Sequence, residues 1–228
     1  MDSWYVMGAV VITLVVCAIR FATPHQHGAP RIIWTWRDKD TPYSAASLRC
    51  RASWKRWNPD HTIHILTPQT FQHYARIPIE VSSHPILSQF LEDIVRITVL
   101  AENGGIWLDS NVTLHGPLDA WLFQPHPTHE IHPKEEKIVG FLRDSRVDTG
   151  FLAALPGCKW LLQWKEAWIQ LMRFDSIQSY ATIKKKEGIP MDDLLNPLDH
   201  MGEIVWRSLR APSTLFLDQE TMNKHMSR

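Results

Sequence analysis

Cysteine is scarce in this chain: there are three, too few for a fold stapled by several disulfides. Cys17 lies in an apolar N-terminal run. Cys50 and Cys158 are then either one pair, if the domain faces an oxidising lumen, or two buried free thiols. Surplus charge is absent as well. Lys and Arg number 24, Asp and Glu number 24, and the formal net charge is zero. That balance argues against nucleic acid as a partner. There is no internal repeat and no low-complexity tract.

What is present suits one globular domain: 228 residues, 44% of them hydrophobic. Tryptophan is abundant, at 11 residues. Its large area belongs in a core or an interface, or serves as a flat platform for a sugar or a nucleobase. Residues Ser3 to Ile19 carry no charge and end at Arg20, a span about long enough to cross a membrane. The acidic start (Asp2) and the lack of a clean cleavage site favour an uncleaved anchor over a signal peptide. The sequence therefore predicts an anchor over residues 1–21, a short stem over 22–29 and a domain over 30–228. The expected location is a membrane, by a single pass. Whether the domain faces a secretory lumen or the cytoplasm is open, because Arg20 and Arg31 would keep it cytoplasmic and enzymes of secretory compartments have the opposite topology.

After the stem, strand-like and helical patterns alternate. Arg31–Trp36 and His61–Leu66 read as strands. Ser44–Trp57 has apolar residues at helical spacing and stops at Asn58-Pro59-Asp60. A short helix is expected from Pro68 through Tyr74. Pro85–Asn103 is the best helix, with Leu87, Leu91, Ile94, Val95 and Val99 on one face and Gly104 just past its end. Ile106–Leu108 is a short buried strand, and Val112–Leu114 continues it in extended form. Pro117 begins a short helix containing Trp121. Ile138–Leu142 and Val147–Gly150 are strand candidates, Lys159–Phe174 is a second amphipathic helix, and His200–Leu209 is a third. The alternation predicts an α/β fold with a mostly parallel sheet flanked by helices.

Asp109 stands at the carboxyl end of Ile106–Leu108, where open α/β sheets bind their ligands. It is a candidate catalytic or ligand-holding carboxylate. The plainer reading is a turn cap bonding to nearby backbone N–H groups.

Four segments then occur in order: Pro30-Arg-Ile-Ile-Trp-Thr-Trp36, Ser53-Trp-Lys-Arg-Trp-Asn-Pro-Asp60, Asp93-Ile-Val-Arg96 and Asn103-Gly-Gly-Ile-Trp-Leu-Asp109. Together they resemble the capsular-polysaccharide-synthesis glycosyltransferases, relatives of the mannosyltransferase-like sugar-binding proteins with a DXD motif. The resemblance covers roughly residues 29–123, with a weaker echo through Val139–Trp168. It implies a GT-A-type, Rossmann-like fold, a nucleotide-sugar donor, a glycan or polysaccharide acceptor, and glycosyl transfer with retention favoured over inversion.

The resemblance also implies roles. Trp34 or Trp36 would stack on the donor's base, and both alternate with Thr35 and so share a face. Asp93 and Arg96, three apart on a helix, would lie beside the nucleotide, and Gly105 is a further expected donor-binding position. The competing readings are a core position for the tryptophans and a surface ion pair for Asp93 and Arg96. Asp109 and Asn111 match the first and last positions of DXD, where oxygen ligands hold a divalent cation, manganese or magnesium, against the departing diphosphate. Asn111 offers an oxygen but no charge, so a site using Arg and Lys without a metal is the alternative.

Two histidine groups compete for a metal. His126, His129 and His132 lie in a proline-containing loop without the rigid spacing of a closed zinc site. Asp199-His200 is the better candidate, because GT-A enzymes bring a late His or Asp back to the metal. Asp199 as a helix cap is the plainer reading. Lys184–Lys186 reads as a solvated face, or as a contact for acceptor phosphates or lipid headgroups. Against an active transferase stand an inactive nucleotide-sugar-binding relative, which Asn111 keeps open, and a membrane-anchored carbohydrate-binding module.

Overall fold

The computed structural model describes residues 30–38, 42–78, 85–122, 138–143, 146–187, 214–217 and 219–227. The strands are β1 (Ile32–Trp36), β2 (Thr62–Leu66), β3 (Gly105–Leu108), β4 (Thr113–Leu114), β5 (Ile138–Arg143), β6 (Arg146–Ala154), β7 (Thr214–Leu217) and β8 (Met226–Ser227). The helices are α1 (Ala45–Trp57), α2 (Pro85–Asn103), α3 (Lys159–Leu171), α4 (Ile177–Lys186) and α5 (Gln219–His225). The sequence pattern did not reveal α4, β7, α5 or β8. The helices expected after Pro68 and Pro117 are single 3-10 turns, Phe71–His73 and Leu118–Ala120.

Among the described residues, six strands form one sheet in the order β2-β1-β3-β6-β5-β7. β1 pairs in parallel with both β2 and β3, and β5 with β7, while β6 runs antiparallel to both of its neighbours. The mixed sheet is therefore mostly parallel, and the carboxyl ends of β1 and β3 lie side by side. Strand alternation sorts the side chains onto two faces. Trp34, Trp36, Trp107 and Leu152 join the core under α2 and α3, and Ile33, Ile106, Leu108 and Phe151 join the core under α1 and the C-terminal segment. Each fully buried indole removes roughly 200 Å² from water. At ~25 cal/mol/Å² that is a gross gain of about 5 kcal/mol, which explains why Trp54, Trp107 and Trp164 sit in the core.

The glycine pair is structural. Gly104 ends α2 at φ 66°, and a Cβ there would lie 2.6 Å from Pro156 Cδ. Gly105 starts β3 at φ 99°, where a Cβ would meet Ile32 O at 2.8 Å and Trp34 Nε1 at 2.9 Å. Only glycine releases the chain from helix to strand this closely. Glu102 joins α2 to its surroundings: it accepts from Lys165 Nζ at 2.6 Å and from the Arg76 backbone N–H at 3.0 Å. Cys50 and Cys158 are free, buried and on opposite faces of the sheet, so they do not pair.

The expected anchor (residues 1–21) and stem (residues 22–29) lie outside the described residues. So do His126, His129, His132, Asp199, His200 and the helix expected over His200–Leu209. The single-pass membrane localisation is corrected: no helix among the described residues is long and apolar enough to cross a membrane. α2 has the length, at 19 residues, but carries Glu92, Asp93, Arg96 and Glu102, whose charges do not enter a bilayer core cheaply.

Candidate functional site

A cleft of about 320 Å³ opens at the carboxyl edge of the sheet. The end of β1 gives Trp36, Arg37 and Asp38; the start of α1 gives Pro42, Tyr43 and Ser47; α2 gives Glu92; and the end of β3 gives Asp109, Ser110 and Asn111.

The loop carrying Asp109 is fixed from several sides. The Asp109 backbone N–H donates to Gly150 O on β6 at 2.9 Å, and Val112 N–H returns to Asp109 O at 3.0 Å. Trp54 Nε1 donates to Val112 O at 2.6 Å. The Leu114 N–H donates to Ser53 Oγ at 3.0 Å, and the Leu118 N–H to Asn58 Oδ1 at 2.8 Å. The Ser53-Trp54 and Asn58 positions of the second motif thus hold the loop after β3 in place and do not line the cleft. The motif residues serve the site through the backbone.

Behind the cleft lies a buried guanidinium. Arg96 is 4% exposed and its carbon sits 5.0 Å from the centre of the Trp107 ring. Its Nη1 donates to Asp93 Oδ1 at 2.6 Å, and its Nη2 donates to Glu92 Oε1 at 3.0 Å and Asp109 Oδ1 at 3.2 Å. Trp107 Nε1 donates to the same Asp109 oxygen at 3.0 Å. One cation therefore gathers three carboxylates. Burial alone would lower the Arg96 pKa, but the charges of Asp109, Asp93 and Glu92 outweigh it and raise it further. Burial raises the Asp93 pKa against the pull of Arg96.

The same forces act on Glu92, with a sharper result. Burial pushes its pKa up to about 7, Arg96 opposes, and the charges of Asp109 and Asp93 push it higher. A carboxyl that holds its proton more tightly folded than unfolded adds stability below its unfolded pKa. That stability is lost as pH rises through the folded value of about 7. Glu92→Gln cannot ionise. It is expected to stabilise the fold at about pH 8 and leave it unchanged near pH 4. The gain is about 1 kcal/mol, because the side chain is two-fifths exposed and solvent screens the full linkage value. Urea melts across that range check it, and a pH-independent difference between variant and wild type would mean that Glu92 titrates as an ordinary surface acid.

The residues expected from the sequence separate into two groups. Trp36, Asp109 and Asn111 line the cleft. Trp34 does not: it is 1% exposed, stacks on His64 at 4.8 Å and donates to Gly104 O at 2.8 Å. Its faces are occupied by the core, which leaves no room for a base. Gly105 lies against Ile32 and Trp34 under the same indole. Asp93 and Arg96 stand behind the wall, and Glu92 takes the cleft position. Arg37, Asp38, Pro42, Tyr43, Ser47, Glu92 and Ser110 also line the cleft and were not among the residues expected from the sequence. Arg37 directly follows the first motif, and Glu92 directly precedes the third.

The chain is thus an α/β domain with a mixed sheet and a polar cleft at the carboxyl ends of β1 and β3. Residues 20–139 match the family described as capsular polysaccharide synthesis protein, and the chain belongs to that family. Among solved structures the chain is similar to one titled PaToxG Glycosyltransferase, with 12% identity, a TM-score of 0.48, and coverage of 90% of this chain and 79% of that one. No curated protein matches the chain.

Proposed function

We propose that residues 30–228 are a GT-A-type glycosyltransferase domain that moves a sugar from a nucleotide-sugar donor to a glycan or polysaccharide acceptor. Family membership supports this reading. The observation that carries it is the polarity of the cleft. Asp38, Glu92 and Asp109 offer carboxylate oxygens, and Arg37 and Tyr43 offer donors, in one cavity. A sugar nucleotide has matching parts: hydroxyls that donate to carboxylates and a diphosphate that accepts from guanidinium groups.

In this reading Asp109 and Glu92 orient the transferred sugar through its hydroxyls, and Arg96 holds both at fixed spacing. Trp36 lies along the base. Asn111 and Ser110 border the reacting centre. With retention, the acceptor attacks from the face the diphosphate leaves, so no side-chain nucleophile is required. Among the described residues no group of three or more His, Cys, Asp or Glu is placed to hold a metal ion. The cation implied by the motif would be held by the oxygens of Asp109 and Asn111 and would neutralise the departing diphosphate.

The test is a hydrolysis and binding screen of the full chain against a panel of nucleotide sugars, with and without manganese. Slow hydrolysis of one donor class is expected. Binding without hydrolysis favours the inactive relative that Asn111 keeps open. No binding of any donor by folded protein overturns the proposal.

A further inference from the structure

We propose that Arg37, which lines this cleft, and Arg51, which stands against the cleft residue Tyr43, together form an anion-binding wall that takes the diphosphate of the donor. The inference rests on the glycosyl-transfer reading and assigns the part of the donor held by residues outside the Asp-Ser-Asn triplet.

Arg37 leaves β1 and lines the cleft with Tyr43. Arg51, from the second turn of α1, does not line the cleft itself and adjoins it through Tyr43. Its guanidinium carbon lies 3.5 Å from the centre of the Tyr43 ring, and that of Arg37 lies 4.5 Å from it. Burial would raise the phenol pKa, yet the two arginines beside the ring lower it overall. Two like charges beside one ring repel each other, and an anion close to both relieves that repulsion. Arg51 Nε is buried without a hydrogen-bond partner among the described residues. The first turn of α1, which borders the cleft through Ser47, contains no acidic residue, so its N–H groups add to the positive potential.

The carboxylates of the same cleft are drawn toward other groups. Glu92 and Asp109 face Arg96, and Asp38 accepts from Trp36 Nε1 at 3.0 Å. The positive wall is thus the part of the cleft suited to phosphate oxygens. Guanidinium forks give the multiple, charge-assisted bonds that a diphosphate accepts.

The probe is inorganic pyrophosphate, titrated into the full chain in EDTA by calorimetry, followed by a panel of nucleoside diphosphates. Arg37→Gln and Arg51→Gln are each expected to weaken pyrophosphate roughly 10-fold or more, while Arg37→Lys and Arg51→Lys retain part of the affinity. Arg56→Gln, on the exposed side of α1, should leave it unchanged. Thermal melts verify folding, and Tyr43→Phe, which keeps the ring, tests the link through Tyr43 if either Gln variant does not fold. Pyrophosphate bound equally by wild type and both folded Gln variants overturns the wall. A nucleoside diphosphate bound equally by all of them also overturns it and leaves glycosyl transfer standing. Pyrophosphate bound through the arginines, with no nucleotide sugar bound at all, supports the wall and removes the donor reading.

Discussion

Arg96→Ala is expected to destabilise the fold by about 3–5 kcal/mol, as measured by urea or thermal melts at neutral pH. The reason is what it leaves behind. Asp93, Glu92 and Asp109 all lean on one guanidinium that is 4% exposed. Removing it leaves those carboxylates facing one another with their common cation gone. It also removes the flat group lying over Trp107. Part of the loss should be recovered on acidification, because protonating the acids removes the uncompensated charge. Arg96→Lys should recover only part of it, since a single ammonium does not reproduce the fork that reaches three partners. A solvent-facing donor ligand would behave differently: affinity would fall and the fold would be untouched. An alanine variant that melts within about 1 kcal/mol of wild type would show that the cluster does not act as a clamp.

The Asp-x-x-Arg spacing placed Asp93 and Arg96 on one helix face, and the structure joins them at 2.6 Å. Spacing alone does not say whether that face meets solvent or the end of a strand. Burial of Arg96 depends on β3 packing against α2, and Asp109 arrives from 13 residues away. The Trp34–Trp36 alternation likewise gave a shared face, and both join one core. Only Trp36 is near enough to the sheet edge to reach the cleft. The bounds of the Pro85–Asn103 helix were legible because its apolar stripe is long and a glycine ends it, whereas the kink at Phe90, with φ −121° and ψ 26°, was not. β7 and β8 were not. They are short, and β8 is specified by its pairing with Thr113 and Leu114, more than a hundred residues upstream. Tyr43 and Arg51 were invisible for the same reason: they become a site only when the start of α1 is laid beside the end of β1.

Asp109→Asn is expected to lower transfer by several orders of magnitude with the fold intact, at ~1.4 kcal/mol of barrier per factor of ten. The fold should survive because the amide oxygen can still accept from Arg96 Nη2 and Trp107 Nε1, which meet Asp109 Oδ1 at 3.2 and 3.0 Å. What is lost is charge at the end of β3. The Asp109 charge helps push Glu92 up. Its removal should therefore lower the Glu92 pKa, a readout that needs no substrate and that NMR titration can follow. Asn111, exposed on the same cleft, should be tunable. Asn111→Asp adds the second carboxylate of the triplet and is expected to lower the manganese concentration needed for half-maximal activity, whether or not the maximal rate rises. The comparison is a manganese titration of wild type and both variants with one donor. Near-normal rates in Asp109→Asn, together with an unchanged metal response in Asn111→Asp, would make Asp-Ser-Asn an ordinary turn at the end of a strand. The reaction would then have to be organised by Glu92 and the arginines without it.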